Sequence, residues 1–154
     1  MKVKTFALVA FLCFAGVALY AAEDANMGTW KLNEAKSMFG SSAQRNHTVA
    51  YEAAGDSIKV TIDGVGADGK ALHNEWTGKF DGKEYAVTSD PNSDMRWYKK
   101  VNAHTLMFAT KKDGKVVQSG RIVVAPDGKS RTVTSTTTDS MGKKNKIVAV
   151  YEKQ

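Results

Sequence analysis

The sequence predicts an all-β protein, an antiparallel up-and-down meander closed as a barrel of eight to ten strands. Two observations carry this. The turn signal Asp-Gly-Lys stands at Asp68-Gly69-Lys70, Asp81-Gly82-Lys83, Asp113-Gly114-Lys115 and Asp127-Gly128-Lys129, with a relaxed copy at Met141-Gly142-Lys143. Asp followed by Gly fits the left-handed dihedrals of tight hairpin turns, because Gly has no Cβ to clash. Between these turns the residues alternate apolar and polar, or are rich in Thr and Val, as strands do when each pairs with the next.

The chain opens on a segment that does not belong to this pattern. Lys2 and Lys4 form a positive start, residues 6–20 are an almost unbroken apolar run, and Ala21 and Ala22 precede the acidic pair Glu23 and Asp24. This is the layout of a cleaved secretory signal peptide over residues 1–22. The run is shorter than the ~20 apolar residues of a membrane-spanning helix. Export to the periplasm or beyond a bacterial-type cell is therefore expected, with no stable membrane insertion after cleavage. Residues 23–154 make one barrel domain.

Composition narrows the chemistry. Cys13 is the one cysteine and lies within the signal, so the mature domain folds on its core alone, without disulfide or thiolate chemistry. Without Lys2 and Lys4, two of its 22 basic residues, the net charge falls from +6 to +4. That excess is scattered, with no run of five or six like charges, and nucleic-acid binding is not expected. Pro91 and Pro126 both fall in loops, and no low-complexity linker divides the chain.

The first strand is expected at 28–32, followed by a helical turn over 33–39 with Asn33 as its cap. Further strands are expected at 45–53, 57–65, 71–80, 84–89, 95–101, 105–112, 115–125, 130–139 and 144–152. Period-two patterning places Val49 and Tyr51 on one face of the second strand and Ile58, Val60 and Ile62 on one face of the third. It groups Leu72 with Trp76 and Phe80, Leu106 with Phe108, and Ile147 with Ala149 and Tyr151. Twist curls such a sheet, and closure removes its exposed edges.

Both ends carry a resemblance. The opening Gly28-Thr29-Trp30-Lys31-Leu32 resembles the Gly-x-Trp first strand of the calycin group, the lipocalins and fatty-acid-binding proteins. The ending Tyr151-Glu152-Lys153 is similar to the last strand of fatty-acid-binding proteins. With Asn33 and the turn Lys36-Ser37-Met38-Phe39, the whole mature chain resembles small secreted bacterial lipocalin-like proteins of no assigned activity. The resemblance implies a lipocalin or fatty-acid-binding-protein-like barrel, with Gly28 and Trp30 as its structural motif and Trp30 plugging the base. Two departures matter. Ala149 stands where fatty-acid-binding proteins place a carboxylate-holding Arg before Tyr151, and residues 33–44 leave little room for a helical lid.

Candidate chemistry points to binding rather than catalysis. His47, His73 and His104 sit on separate elements without metal-ligand spacing, and no nucleophile motif is present. No enzyme activity, metal or cofactor is expected. The aromatic residues can either pack the barrel solid or line a cavity, and the sequence leaves both open. The expected lining is Tyr51, Trp76, Trp97, Phe108 and Tyr151, around a small hydrophobic ligand. Of the mid-strand Arg96, Arg121 and Arg131, an exposed face is the simpler placement, and Arg121 is the candidate anchor. The Thr and Ser stripe over 132–138 fits a solvated face or a polar cavity wall. With Ala149 in place of Arg, only a weak preference for free fatty acids over neutral lipophiles is expected. A monomeric lipophile carrier is the favoured reading. A packed structural or protein-interaction barrel of the cell envelope is the alternative.

Overall fold

The computed structural model describes residues 24–42 and 44–154, so the signal-peptide expectation for residues 1–22 lies outside the described residues. Ten strands follow one another: β1 (Gly28–Met38), β2 (Arg45–Ala54), β3 (Ser57–Val65), β4 (Ala71–Gly78), β5 (Tyr85–Thr88), β6 (Met95–Asn102), β7 (Thr105–Lys112), β8 (Lys115–Val124), β9 (Ser130–Thr138) and β10 (Lys144–Lys153). Each pairs antiparallel with its neighbour in sequence, and β10 returns to β1, closing an up-and-down barrel. The closing seam pairs Leu32 with Tyr151, and on its other side β1 pairs Trp30 with Val49. Alternation ties one face of each strand inward, which fixes this register.

The Asp-Gly-Lys signal forms turns in two ways. At Asp113-Gly114 both residues have positive φ, 50° and 75°, and Lys112 pairs with Lys115 across a two-residue hairpin. At the other three strict copies the Asp carboxylate accepts the N–H of the Lys two residues on, at 3.1 Å for Lys70, 2.9 Å for Lys83 and 3.0 Å for Lys129. There the side chain holds the turn as much as Gly does.

Two expectations are corrected. Residues 33–38 are strand, not a helical turn. Asn33 pairs with Val150 and Met38 with Val148, so the intervening residues bulge out opposite Ala149. The capping chemistry is present but serves the bulge: Asn33 Oδ1 accepts the N–H of Lys36, and Ser37 Oγ donates to the Asn33 carbonyl. The fourth strand stops at Gly78 rather than residue 80. A Cβ at Gly78 would stand 2.5 Å from the Tyr85 ring and 2.6 Å from that of Trp76, so only Gly lets these rings meet.

The core gathers at one end of the barrel. Trp30, Val60, Trp76, Tyr98 and Leu106 are buried there, and Trp76 stands edge-on to Tyr85 and Tyr98 at ring separations of 5.7 and 4.8 Å. The segment ahead of β1 straps this end shut. Trp30 Nε1 donates to the Asn26 carbonyl at 2.9 Å, and the fully buried Asn26 in turn donates its backbone and side-chain N–H groups to Asp24. Asp24 then reaches Lys100 on β6, at 2.5 Å. In a ten-strand ring β6 lies opposite β1, so this ion pair crosses the barrel end.

Burial pushes the Asp24 carboxyl up, but hydrogen bonds from Lys100 and Asn26 outweigh it and hold the group below an Asp's ordinary 3.8. A lowered folded-state pKa contributes stability that is full above the unfolded value and lost as pH falls through the folded one. Asp24→Ala is expected to lower stability by about 1–2 kcal/mol at pH 7, through one ion pair and two hydrogen bonds. The gap from the wild type, measured by denaturant unfolding, should narrow as pH falls below about 4. A gap that stays constant with pH would remove the strap from the account.

Candidate functional site

Above the strapped end the barrel is hollow, with a cavity of about 260 Å³. Its walls follow from strand parity. On β9 the inward positions are Arg131, Val133, Ser135 and Thr137, and the Thr residues between them face outward. On β10 they are Tyr151, Ala149 and Ile147, paired with Arg131, Val133 and Ser135 in turn. On β8, Ile122 and Gly120 face the same two middle levels. Read from floor to mouth along these strands, the wall passes from a cation to an apolar waist to hydroxyls. Half of the Thr and Ser stripe is thus cavity wall and half is solvated face.

The floor is built around Arg131. Its guanidinium lies 4.7 Å from the ring centre of Trp30, 4.8 Å from Tyr51 and 5.0 Å from Tyr151. It is 2 % exposed, and its Nε and Nη1 have no hydrogen-bond partner among the described residues. No carboxylate among the described residues lies within 4.0 Å of it. Burying an ion costs several kcal/mol. Cation–π contacts return about 0.5–2 kcal/mol each, and they leave the N–H donors unmade. Arg131 is therefore a charge that the protein alone only partly satisfies.

Arg96, on β6, is the second inward guanidinium and is better matched. Its Nη2 donates to Asn74 Oδ1 at 3.2 Å and lies 3.7 Å from the half-buried Asp90 carboxylate, although its Nη1 has no partner among the described residues. Tyr98 beside it is pushed well above a phenol's ordinary value, by burial first and then by Tyr51. Burial likewise raises Tyr151 to about 12, against the pull of Arg131, and its hydroxyl donates to the Asn46 carbonyl at 3.1 Å. These phenols stay neutral and serve as hydrogen-bonding groups.

The sequence-predicted residues divide. Tyr51, Phe108 and Tyr151 line the cavity. Trp76 is buried but belongs to the packed base, where its Nε1 donates to the Arg96 carbonyl at 2.9 Å. Trp97 faces outward, because Arg96 and Tyr98 take the inward positions of β6. Arg121 is exposed, because Ile122 and Val124 take the inward positions of β8. The anchor position therefore falls to Arg131 rather than Arg121. Arg131 pairs across from Tyr151, so a guanidinium stands beside that tyrosine even though Ala149 supplies none. Gly28 and Trp30 take their structural places at the base, Gly28 with a φ of 99°.

Among the described residues no helix covers the mouth. Phe39 lies at the rim, under the Arg45 guanidinium at 3.6 Å, and Asn145 clamps its loop by donating to the Phe39 carbonyl and accepting from the Ser41 N–H.

No protein-family profile and no curated protein matches the chain. Among solved structures it is similar to that of EF1p2_mFAP2b bound to DFHBI. The two share 10 % identity over 84 % of this chain and 94 % of the other, with a TM-score of 0.50. This likeness bears on the fold alone, a closed ten-strand antiparallel barrel.

A buried ion pair or lone ion replaced by an apolar side chain of similar volume is often neutral or stabilising. Arg131→Met is accordingly expected to leave stability unchanged or raise it, by up to about 4 kcal/mol, in denaturant unfolding. A loss of more than about 1 kcal/mol would mean that the aromatic cage satisfies the charge after all.

Proposed function

We propose that the protein binds a small, largely apolar molecule inside the barrel and catalyses no reaction on it. The observation that carries this is the cavity with its sealed floor and its apolar waist of Ile122, Val133 and Ala149. Ligand sites are concave, mostly apolar and fixed by a few polar groups. The volume, about 260 Å³, is at the small end for such sites and calls for a compact ligand. Neutral phenols at Tyr98 and Tyr151 suit orientation of a ligand rather than proton abstraction. A barrel of the same fold holds DFHBI, which supports a small molecule as the occupant.

The resemblance of Gly28 to Leu32 and of Tyr151 to Lys153 to the calycin ends agrees with this reading. The signal-like residues 1–22 support a carrier acting in the periplasm or outside the cell.

Calorimetric titration with 1-octanol tests the proposal. Binding with a negative heat-capacity change is expected, since apolar surface is buried. Ala149→Leu, which adds three carbons to the waist, should weaken binding at least tenfold while the protein stays folded. No binding by the wild type would favour the packed-barrel reading instead.

A further inference from the structure

We propose that the outer face of β6, β7 and β8 docks on an anionic lipid bilayer, with the barrel resting reversibly on its side. Six large apolar side chains are exposed among the described residues. Four of them, Val101, Met107, Val116 and Val123, stand on these three strands at 41–51 % exposure. Exposed apolar side chains scattered singly are normal, whereas a gathered set marks a contact surface. Register arranges the set in rows. Met107 pairs with Lys99 on one side and Arg121 on the other, so a cation flanks it on each neighbouring strand. The row towards the mouth holds Trp97, paired with Ala109, and the row towards the base holds Val123, paired with Thr105. The indoles of Trp30 and Trp76 donate to carbonyls inside the barrel, and Trp97 makes no such bond among the described residues. An outward indole, with an apolar ring and a polar N–H, suits the headgroup level of a bilayer.

Charge complementarity names the occupant. No Asp or Glu occurs in β6, β7, β8 or β9, whereas β1 to β4 carry one carboxylate each, Glu34, Glu52, Asp63 and Glu75. Lys100 and Lys111 are committed to Asp24 and Glu84, and Lys99 and Arg121 have no ion-pair partner among the described residues. The sequence scatters these two cations, and register brings them to either side of one methionine. Their aliphatic stems can lie along Met107 while their heads reach anionic headgroups. A second copy of this chain suits the face less, because it would bring Lys99 and Arg121 of both copies to one interface. A nucleic acid would use the cations and leave the apolar rows in water. A few cations joined to a small apolar surface hold a bilayer weakly, so the contact is reversible. The face lies outside the cavity, and the proposal stands whether or not the barrel holds a ligand.

Cosedimentation of the purified protein with vesicles tests this. Binding to equal parts phosphatidylcholine and phosphatidylglycerol should be about tenfold tighter than to phosphatidylcholine alone, and should weaken as salt is added. Lys99→Gln with Arg121→Gln should bring the two vesicles level. Lys31→Gln with Lys146→Gln, the same charge change on β1 and β10, should leave the preference intact. Met107→Ser with Val123→Ser should weaken binding to both vesicles. Lipids with brominated chains should quench tryptophan emission in the wild type and not in Trp97→Phe, since Trp30 and Trp76 are buried. That reading ties the contact to this face rather than to residues 1–22. Equal binding of the wild type to both vesicles would overturn the proposal. So would a preference that survives Lys99→Gln with Arg121→Gln, or vesicle binding without quenching of Trp97. A dimer in size-exclusion chromatography that Met107→Ser with Val123→Ser disperses would give the face to a second copy instead. Tighter binding of duplex DNA than of the mixed vesicles would give it to nucleic acid. The vesicle comparison needs only the wild type, so the result does not hinge on whether a variant folds.

Discussion

The placement of one guanidinium among three aromatic rings organises this barrel. Arg131 brings β9 against Trp30 of β1, Tyr51 of β2 and Tyr151 of β10, so one side chain touches the strands on both sides of the closing seam. A hydrocarbon at this position would fill the same space without the donors. The arrangement trades some stability for a polar group at depth, as functional sites do when they keep a local conflict that a purely structural core would remove.

The floor depends in turn on the strap below it. Trp30 is held from beneath by Asn26, Asn26 by Asp24, and Asp24 by Lys100 on the far wall. Each link satisfies a polar group that burial would otherwise leave bare. Four residues close the barrel end, with no helix among the described residues. The wall is less fastened on one side. There β5 spans four residues and shares two residue pairs with each neighbour, Glu75 and Trp76 with β4 and Arg96 and Met95 with β6. The wall beside Arg96 and the Asp90 loop therefore has the fewest ladder hydrogen bonds, and local opening is easiest where the backbone has least to lose.

Most of the fold was legible because half-buried strands write their parity into the sequence. Val60 and Ile62, Leu72 and Trp76, Leu106 and Phe108, and Ala149 and Tyr151 all point inward as their alternation requires. The bulge after Asn33 was not legible, because an Asn side chain accepting a nearby N–H serves a helix cap and a bulge equally well. The site was harder to read for the same kind of reason. In Arg96-Trp97-Tyr98 either parity puts an aromatic ring inside, so aromatic content could not choose. In β9 nearly every side chain is Thr or Ser, and the stripe looks alike on both faces. The deciding information lay in the partner strand: once Tyr151 points inward, its pairing with Arg131 carries the arginine inward too. Arg121 was excluded by a signal that was present, the apolar parity of Ile122 and Val124 beside it.

This shift of the cation from one strand to the next bears on what the resemblance at the chain ends can mean. Reading β10 alone, Ala149 removes the carboxylate holder and leaves Tyr151 as an isolated hydroxyl, with neutral ligands as the natural inference. Inside the closed barrel the unit is not the strand but the ring of inward side chains around Tyr151. That ring has a guanidinium, supplied by β9, while the phenol's own proton is committed to the Asn46 carbonyl. The hydroxyl that a sequence match would nominate is thus already occupied as a donor. The donors without a protein partner belong to a residue one strand away that no terminal motif includes. Local motifs report on the strand that carries them. The chemistry of a barrel interior is set by register between strands, and it is register that places Arg131 at the floor.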